Sequence, residues 1–182
     1  MALKLVQQFC DEKKLLEVLD DLTAKIDEDH PEFFNLAFIG ILEGGKPFAD
    51  YLAKSLGARK NHVFPVAYLD IHLYPDDVID TENEPFSRTT EVPFAVRGKE
   101  IILVDDVMFT GRTVRAALTS LLYLGRPNRV RLACVVDRGH RELPIQPDYV
   151  GLSIETKRNQ GVRVRTSQDD EEPGIYIFEE GA

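Results

Sequence analysis

Cysteine is nearly absent from this chain: its 182 residues include two, Cys10 and Cys134. They lie far apart, with no CxxC or Cys/His spacing around them, which argues against both a disulfide framework and a zinc site. Cys134 falls in the apolar run 132–136 and reads as a core residue. No apolar run is long enough to span a bilayer, and the N-terminal MALKLVQQFCDEKK meets acidic residues too early for a secretory signal. Internal repeats and low-complexity tracts are lacking as well. These absences leave a cytoplasmic globular protein without a membrane partner as the expectation. The length suits one domain over residues 1–182, long enough to bury a real core. A content of 43% hydrophobic and 29% charged residues is ordinary for that class.

Positive charge is scarce overall, with a net charge of −9, but the deficit is uneven. Residues 11–29 hold three Lys against eight acids, and the stretch 166–182 holds six acids and no Lys or Arg. Residues 112–165 reverse the sign, with eleven Arg and Lys against four acids, a net of +7. The acidic surfaces exclude a uniformly basic nucleic-acid binder, whereas the basic part suits an anionic ligand.

The hydrophobic periodicity predicts a doubly wound α/β fold. Leu15, Leu16, Leu19, Leu22 and Ile26 recur at helical spacing, so 11–28 is an amphipathic helix with an acidic outer face. Strands are expected at 36–42, 63–74, 101–104 and 130–136, with short late strands at 162–164 and 175–178. A helix is expected at 48–56, after the Glu43-Gly44-Gly45-Lys46-Pro47 turn. Residues 75–93 carry three prolines and little apolar periodicity, which marks a long flexible loop of the kind that often serves as a lid. Residues 137–148 read as another loop. Strands alternating with helices imply a mostly parallel sheet flanked on both faces.

The stretch IILVDDVMFTGRT, Ile101 to Thr113, carries the chemistry. An apolar, β-branched run reads as a buried parallel strand, and Asp105 and Asp106 stand at its carboxyl end, where open α/β sheets bind ligands. Thr110, Gly111, Arg112 and Thr113 then open a helix whose apolar side is Val114, Ala116, Ala117, Leu118, Leu121 and Leu122. A helix start offers unpaired N–H groups to a phosphate, with two threonine hydroxyls as further donors. Two carboxylates cannot hold phosphate, but they accept hydrogen bonds from vicinal ribose hydroxyls or reach Mg²⁺ through water. Paired acids also follow strands in phospho-acceptor receiver domains, but there they follow the first strand and no Gly-Arg-Thr helix start accompanies them. The two features in this order fit a ribose 5-phosphate.

On these residues the segment resembles the phosphoribosyl pyrophosphate (PRPP) motif of the type I phosphoribosyltransferases. The PyrR family, whose members are pyrimidine-operon attenuators and uracil phosphoribosyltransferases, is the most similar branch. The resemblance runs through Val114-Arg115-Ala116, Leu124-Gly125-Arg126-Pro127, VVDRGHRELPIQPDYVG from Val135 to Gly151, and DIHLYPDD from Asp70 to Asp77, over roughly residues 36 to 165. It implies the type I fold, a central mostly parallel sheet flanked by helices with a flexible lid, and transfer of phosphoribosyl from PRPP to uracil to give UMP and pyrophosphate. Mg²⁺ would enter as the cofactor, bound with PRPP and reached by Asp105 and Asp106. A homodimer or higher homo-oligomer is expected.

Residue by residue, the resemblance implies that Asp105 and Asp106 hold the ribose hydroxyls. Val107, Met108, Phe109, Thr110, Gly111, Arg112 and Thr113 would line the nucleotide site, the last four holding the 5-phosphate. Glu43, Gly44, Gly45 and Lys46 fall at the pyrophosphate loop. PyrR loops carry Thr-Arg-Gly there, and GGKPFAD is nearer to hypoxanthine phosphoribosyltransferases, so a 6-oxopurine enzyme stands as one alternative. Two positions weigh against it: Phe109 replaces the Asp that faces purine N7 in those enzymes, and Asp137 replaces the Lys that meets the 6-oxo group. Asp137 and Arg138, with His140 and Arg141, are candidates for the base pocket. Arg138 and Arg141 are alternatively braces of their loop or of a subunit contact. Ser87, Arg88 and Thr89 lie in the lid, where Arg88 is a candidate to close over pyrophosphate. The other alternative is an RNA-binding attenuator with little enzymatic activity, drawing on Arg129, Arg131, Arg138, Arg141, Lys157, Arg158, Arg163 and Arg165, with Arg141, Lys157 and Arg158 as the leading candidates and the operon leader as partner.

Overall fold

A computed structural model describes residues 3–71, 92–167, 169 and 172–180. Five strands form a fully parallel sheet: β2 (Leu36–Ile41), β3 (Val66–Leu69), β4 (Glu100–Met108), β5 (Arg129–Asp137) and β6 (Tyr149–Ser153), in the order β3-β2-β4-β5-β6. The expected parallel sheet with helices on both faces is thus observed. Helices α1 (Glu12–Asp29) and α2 (Lys46–Lys60) share one apolar core with the sheet, built around Leu22, Ile26, Phe38, Phe48 and Leu52. Helix α3 (Arg112–Leu124) packs Val114, Ala117 and Leu121 with Ile39, Ile101 and Leu103 on the other side. Alternating strand residues feed the two cores, as the twofold side-chain period of a strand requires.

Local signals explain where the helices begin and end. Asp11 caps α1 by accepting from the Lys14 N–H at 2.9 Å, and Glu12 adds a negative charge to the first turn. Pro47 lies in the first turn of α2, where a missing N–H matters least, and Asn61 ends that helix in the left-handed conformation. Helix α1 lies tight on β6: a Cβ on Gly151 would fall 2.6 Å from Val18 Cγ1, and Lys25 donates to the Val150 carbonyl at 3.1 Å.

The structure departs from the sequence reading in four places. Strand β3 spans Val66–Leu69 and does not begin at 63, because Phe38 donates to the Pro65 carbonyl and the ladder with β2 opens at Val66. Strand β4 runs past 104 to Met108, because β5 pairs with it as far as Asp137, so the two acids sit inside the ladder. Strand β6 was not expected. Nor was β1 (Leu3–Asp11), which joins β8 (Gly174–Glu180) and β7 (Gln160–Arg165) in a separate antiparallel sheet ordered β1-β8-β7. Register shifts between Leu5 and Gln7 and between Gln8 and Cys10 break the alternation of β1 that would have marked it as a strand. The proposed lid at 75–93, with Ser87, Arg88 and Thr89, lies outside the described residues except for its last two positions, 92 and 93, and so does most of the Asp70–Asp77 match.

Candidate active site

The carboxyl ends of β2, β4 and β5 meet at one edge of the parallel sheet, and the segments that follow these strands bring the expected groups together. Asp105 and Asp106 lie side by side near the end of β4. Asp105 is 5% exposed and its Oδ1 accepts from the Asp106 N–H at 3.0 Å, while Asp106 Oδ1 accepts from the Val107 N–H at 2.8 Å. Burial pushes the Asp105 carboxyl well above the ordinary carboxylate range, and the neighbouring Asp106 charge pushes it further. Burial raises Asp106 too, against the opposing pull of the Val107 N–H. Two desolvated, mutually repelling carboxylates gain from hydroxyl donors or a cation.

The turn after β2 lies directly against this pair. A Cβ on Gly44 would fall 2.5 Å from the Asp106 Cγ, and one on Gly45 would collide with the Val104 carbonyl oxygen. Only a backbone without side chains fits between β2 and β4 here, which accounts for the consecutive glycines. The Leu42–Glu43 peptide is cis, and the Gly45 N–H donates to the Ile41 carbonyl at 2.7 Å. Lys46 follows, its ammonium 4.9 Å from the centre of the Tyr68 ring, and the Tyr68 hydroxyl donates to Asp50 Oδ1 at 2.6 Å. Burial and the Asp50 contact push the Tyr68 hydroxyl up to about 12.

On the other side of the acids the chain turns into α3. Gly111 caps the helix at φ 95°, a conformation suited to glycine, and the Arg112 N–H lies 3.4 Å from the Thr110 hydroxyl oxygen. At a helix start the leading N–H groups lack intrahelical acceptors and suit an anion, with the helix dipole behind them. The loop 138–148 is pinned to this turn: the N–H groups of Glu142 and Leu143 both donate to the Thr110 carbonyl, at 3.0 and 3.1 Å. The Glu142 carboxylate accepts from Arg112 and from Arg158, each at 3.0 Å.

The same loop turns Arg138 and Arg141 to structural use. Arg138 is 7% exposed and lies 4.1 Å over the Phe109 ring. It donates to the Thr156 hydroxyl and to the Lys157 and Gln160 carbonyls, and burial lowers its pKa. Arg141 donates to the carbonyls of Phe109, Gly139 and Ile145 and pairs with Asp137, whose other oxygen accepts from the Gly139 N–H. His140 reaches the Thr156 carbonyl at 2.7 Å, with its ring edge-on to Phe109. Lys157 and Arg158 stay exposed. Sequence reasoning missed Tyr68, Thr156 and Gln160, which sit on strands or loops without a motif of their own.

Comparison with known proteins agrees with this geometry. The family model described as phosphoribosyl transferase domain matches residues 6–170. A bifunctional protein PyrR from Pelotomaculum thermopropionicum is 43% identical over 172 residues, covering 94% of this chain and 95% of the relative. Another from Thermus aquaticus is 47% identical over 148 residues, covering 81% and 82%. Among solved structures, a hypoxanthine-guanine phosphoribosyltransferase from Bacillus anthracis superposes with a TM-score of 0.71 at 19% identity, covering 95% of this chain and 98% of that one. An HGPRT-ase from Leishmania tarentolae in complex with GMP superposes with a TM-score of 0.73 at 16% identity, covering 97% and 98%. At such identities the structural likeness establishes the fold alone.

Proposed function

Given that the chain belongs to the phosphoribosyltransferase family and, within it, to the PyrR proteins, we propose that it transfers phosphoribosyl from PRPP to uracil, giving UMP and pyrophosphate. The observation that carries this reading is the contact of Gly44 with the Asp106 carboxylate. In PRPP the pyrophosphate sits on C1 and a hydroxyl on the neighbouring C2. A protein that holds both needs its anion loop directly beside its hydroxyl acceptor. The 5-phosphate projects from the other side of the ring, and the helix start at Thr110–Thr113 is the second anion site that this substrate requires.

Asp105 and Asp106 accept from the ribose hydroxyls and orient the ring, while Val107, Met108 and Phe109 lead into the turn that grips the phosphate. Glu43, Gly44, Gly45 and Lys46 receive the pyrophosphate. The bond from C1 to the pyrophosphate oxygen breaks with its electron pair, N1 of uracil bonds to C1, and the N1 proton is released. Carboxylates beside C1 favour the positive charge that develops there. Asp105 and Asp106 would reach Mg²⁺ brought in with PRPP, since carboxylate oxygens are donors that this hard cation accepts. Mg²⁺ bound with PRPP would neutralise charge on the pyrophosphate. Asp137 and Arg138 shape the base pocket, where Phe109 offers a purine N7 no hydrogen-bond partner.

Pyrophosphate release from PRPP and Mg²⁺, measured with uracil, hypoxanthine or guanine, tests the reading. Release that needs uracil and is lost in the Asp105→Asn/Asp106→Asn double variant is the expected result. Release driven by a purine sinks the base assignment.

A second role in RNA binding is favoured by the exposed Lys157 and Arg158 on the loop before β7, together with the exposed Arg163. The relatives' name, bifunctional protein PyrR, is consistent with such a role. Strongly salt-dependent retention of a pyrimidine-operon leader RNA, reduced in Lys157→Ala/Arg158→Ala, is expected if the role is present. No binding at low salt removes it.

A further inference from the structure

We propose that Tyr68 is a positioning residue for pyrophosphate: its ring holds the Lys46 ammonium at the glycine loop, and its hydroxyl keeps Asp50 from drawing that ammonium away. The proposal rests on the reading of residues 43–46 as the pyrophosphate loop and adds a residue outside that loop.

Lys46 and Asp50 stand four residues apart on α2, a spacing at which opposite charges on a helix meet. In this structure they do not pair. The Asp50 carboxylate accepts the Tyr68 hydroxyl at 2.6 Å, and the Lys46 ammonium sits 4.9 Å from the centre of the same ring. One tyrosine therefore separates two charges that would otherwise neutralise each other. Its own placement is fixed by the sheet: Tyr68 pairs with Gly40 across β2 and β3, one strand from the acids of β4. Lys46 directly follows Gly45, which is wedged against β4, so the start of its side chain is held by the same wedge.

The chemistry favours this device over an ion pair. A lysine locked to a carboxylate presents little net charge to an arriving anion, whereas an aromatic face holds the ammonium while leaving its charge and its N–H donors available. The Tyr68 hydroxyl stays protonated at every working pH, since it is pushed up to about 12, and so remains a donor to Asp50. Tyr68 touches no reacting atom; it acts through Lys46.

The test is calorimetric binding of inorganic pyrophosphate with Mg²⁺, with ribose 5-phosphate as the comparator. Ribose 5-phosphate uses the acid pair and the phosphate turn but not the pyrophosphate loop, and neither probe depends on which base the protein accepts. Lys46→Gln is expected to weaken pyrophosphate about tenfold and leave ribose 5-phosphate unchanged. Tyr68→Leu removes the face and is expected to weaken pyrophosphate about threefold to fivefold, in the range of a cation over a partly exposed ring. Lys46→Gln/Tyr68→Leu should be no weaker than Lys46→Gln, because Tyr68 acts through the lysine. Tyr68→Phe keeps the ring and the packing but frees Asp50; it should also weaken pyrophosphate, and Tyr68→Phe/Asp50→Asn should restore it. Additive effects of the two sites, equal loss of both probes in Tyr68→Leu, or unchanged pyrophosphate affinity in Tyr68→Leu and Tyr68→Phe beside a weakened Lys46→Gln each overturn the proposal. An unaffected Lys46→Gln overturns the loop assignment itself, and the proposal with it.

Discussion

Gly44 lies against Asp106 with no room for a side chain between them: a methyl group there would come within 2.5 Å of the carboxyl carbon and 2.6 Å of both its oxygens. Neither neighbour can yield freely, since Asp106 is anchored through the Val107 N–H and the loop is tied back to Ile41. Gly44→Ala therefore displaces the acid, the loop, or both. Because small displacements of positioning groups reduce rates sharply, kcat/KM for PRPP should fall about a hundredfold. The stability loss should stay near about 1–3 kcal/mol, as for local overpacking. Gly161→Ala, where a Cβ meets nothing within 4 Å, is the control and should change neither steady-state kinetics nor the urea midpoint.

Asp105 makes the opposite prediction for stability. Burial holds its carboxyl above the ordinary value of 3.8, so the folded protein keeps a proton that the unfolded chain releases. That contribution is complete below 3.8 and is lost as pH rises from there through the raised folded value. Asp105→Asn has nothing to ionise, and its amide oxygen can still accept from the Asp106 N–H. The variant should be more stable than the wild type at neutral pH by about 1 kcal/mol, typical of a substitution that relieves a functional site. The gain should shrink toward pH 4, and catalysis should be lost throughout. Urea midpoints measured from pH 4 to 8 decide this, and a flat difference across that range contradicts it.

Arg138 is a buried cation held by three oxygen acceptors on residues 156–160, with Phe109 beneath its plane. A lysine offers a point charge and no flat face, so Arg138→Lys cannot replace both the fork and the stack. We expect a loss of about 2–3 kcal/mol, given one or more buried carbonyls left unpaired. KM for the base should rise more than KM for PRPP, because the change falls beside Phe109 and not at the anion sites. Equal changes in both constants would mean that Arg138 braces the whole site and has no bias toward the base.

The helix-opening turn and the acid pair were legible in the sequence because their pattern is local: an apolar run, two acids and a helix start lie within thirteen residues, and the structure keeps that order. What was not legible depends on partners distant in the chain. The ladder that carries β4 to Met108 is set by β5, 29 residues on. Strand β1 hides its alternation behind two register shifts and pairs with the far end of the chain. The bracing alternative for Arg141 was legible, but its partners were not: its donors turn inward to Phe109, Gly139, Ile145 and Asp137. Tyr68 looks like one more strand aromatic until Lys46 is seen over its ring and Asp50 at its hydroxyl.

Gly111 separates the two proposed anion sites experimentally. It stands at φ 95°, where an L side chain is strained by roughly 1–2 kcal/mol. A Cβ there would meet Leu143 at 3.4 Å, Ile145 at 3.6 Å and Met108 at 3.7 Å, which are ordinary contacts, so the strain lies in the backbone. Relieving it means changing φ at the helix start, which moves the turn. Gly111→Ala should then weaken ribose 5-phosphate about tenfold, the scale of one or two charge-assisted hydrogen bonds, and leave inorganic pyrophosphate with Mg²⁺ unaffected. This is the reverse of the pattern expected for Lys46→Gln. If both variants weakened the same probe, one anion site would be serving two phosphates, and the division of PRPP between the glycine loop and the helix start would be wrong.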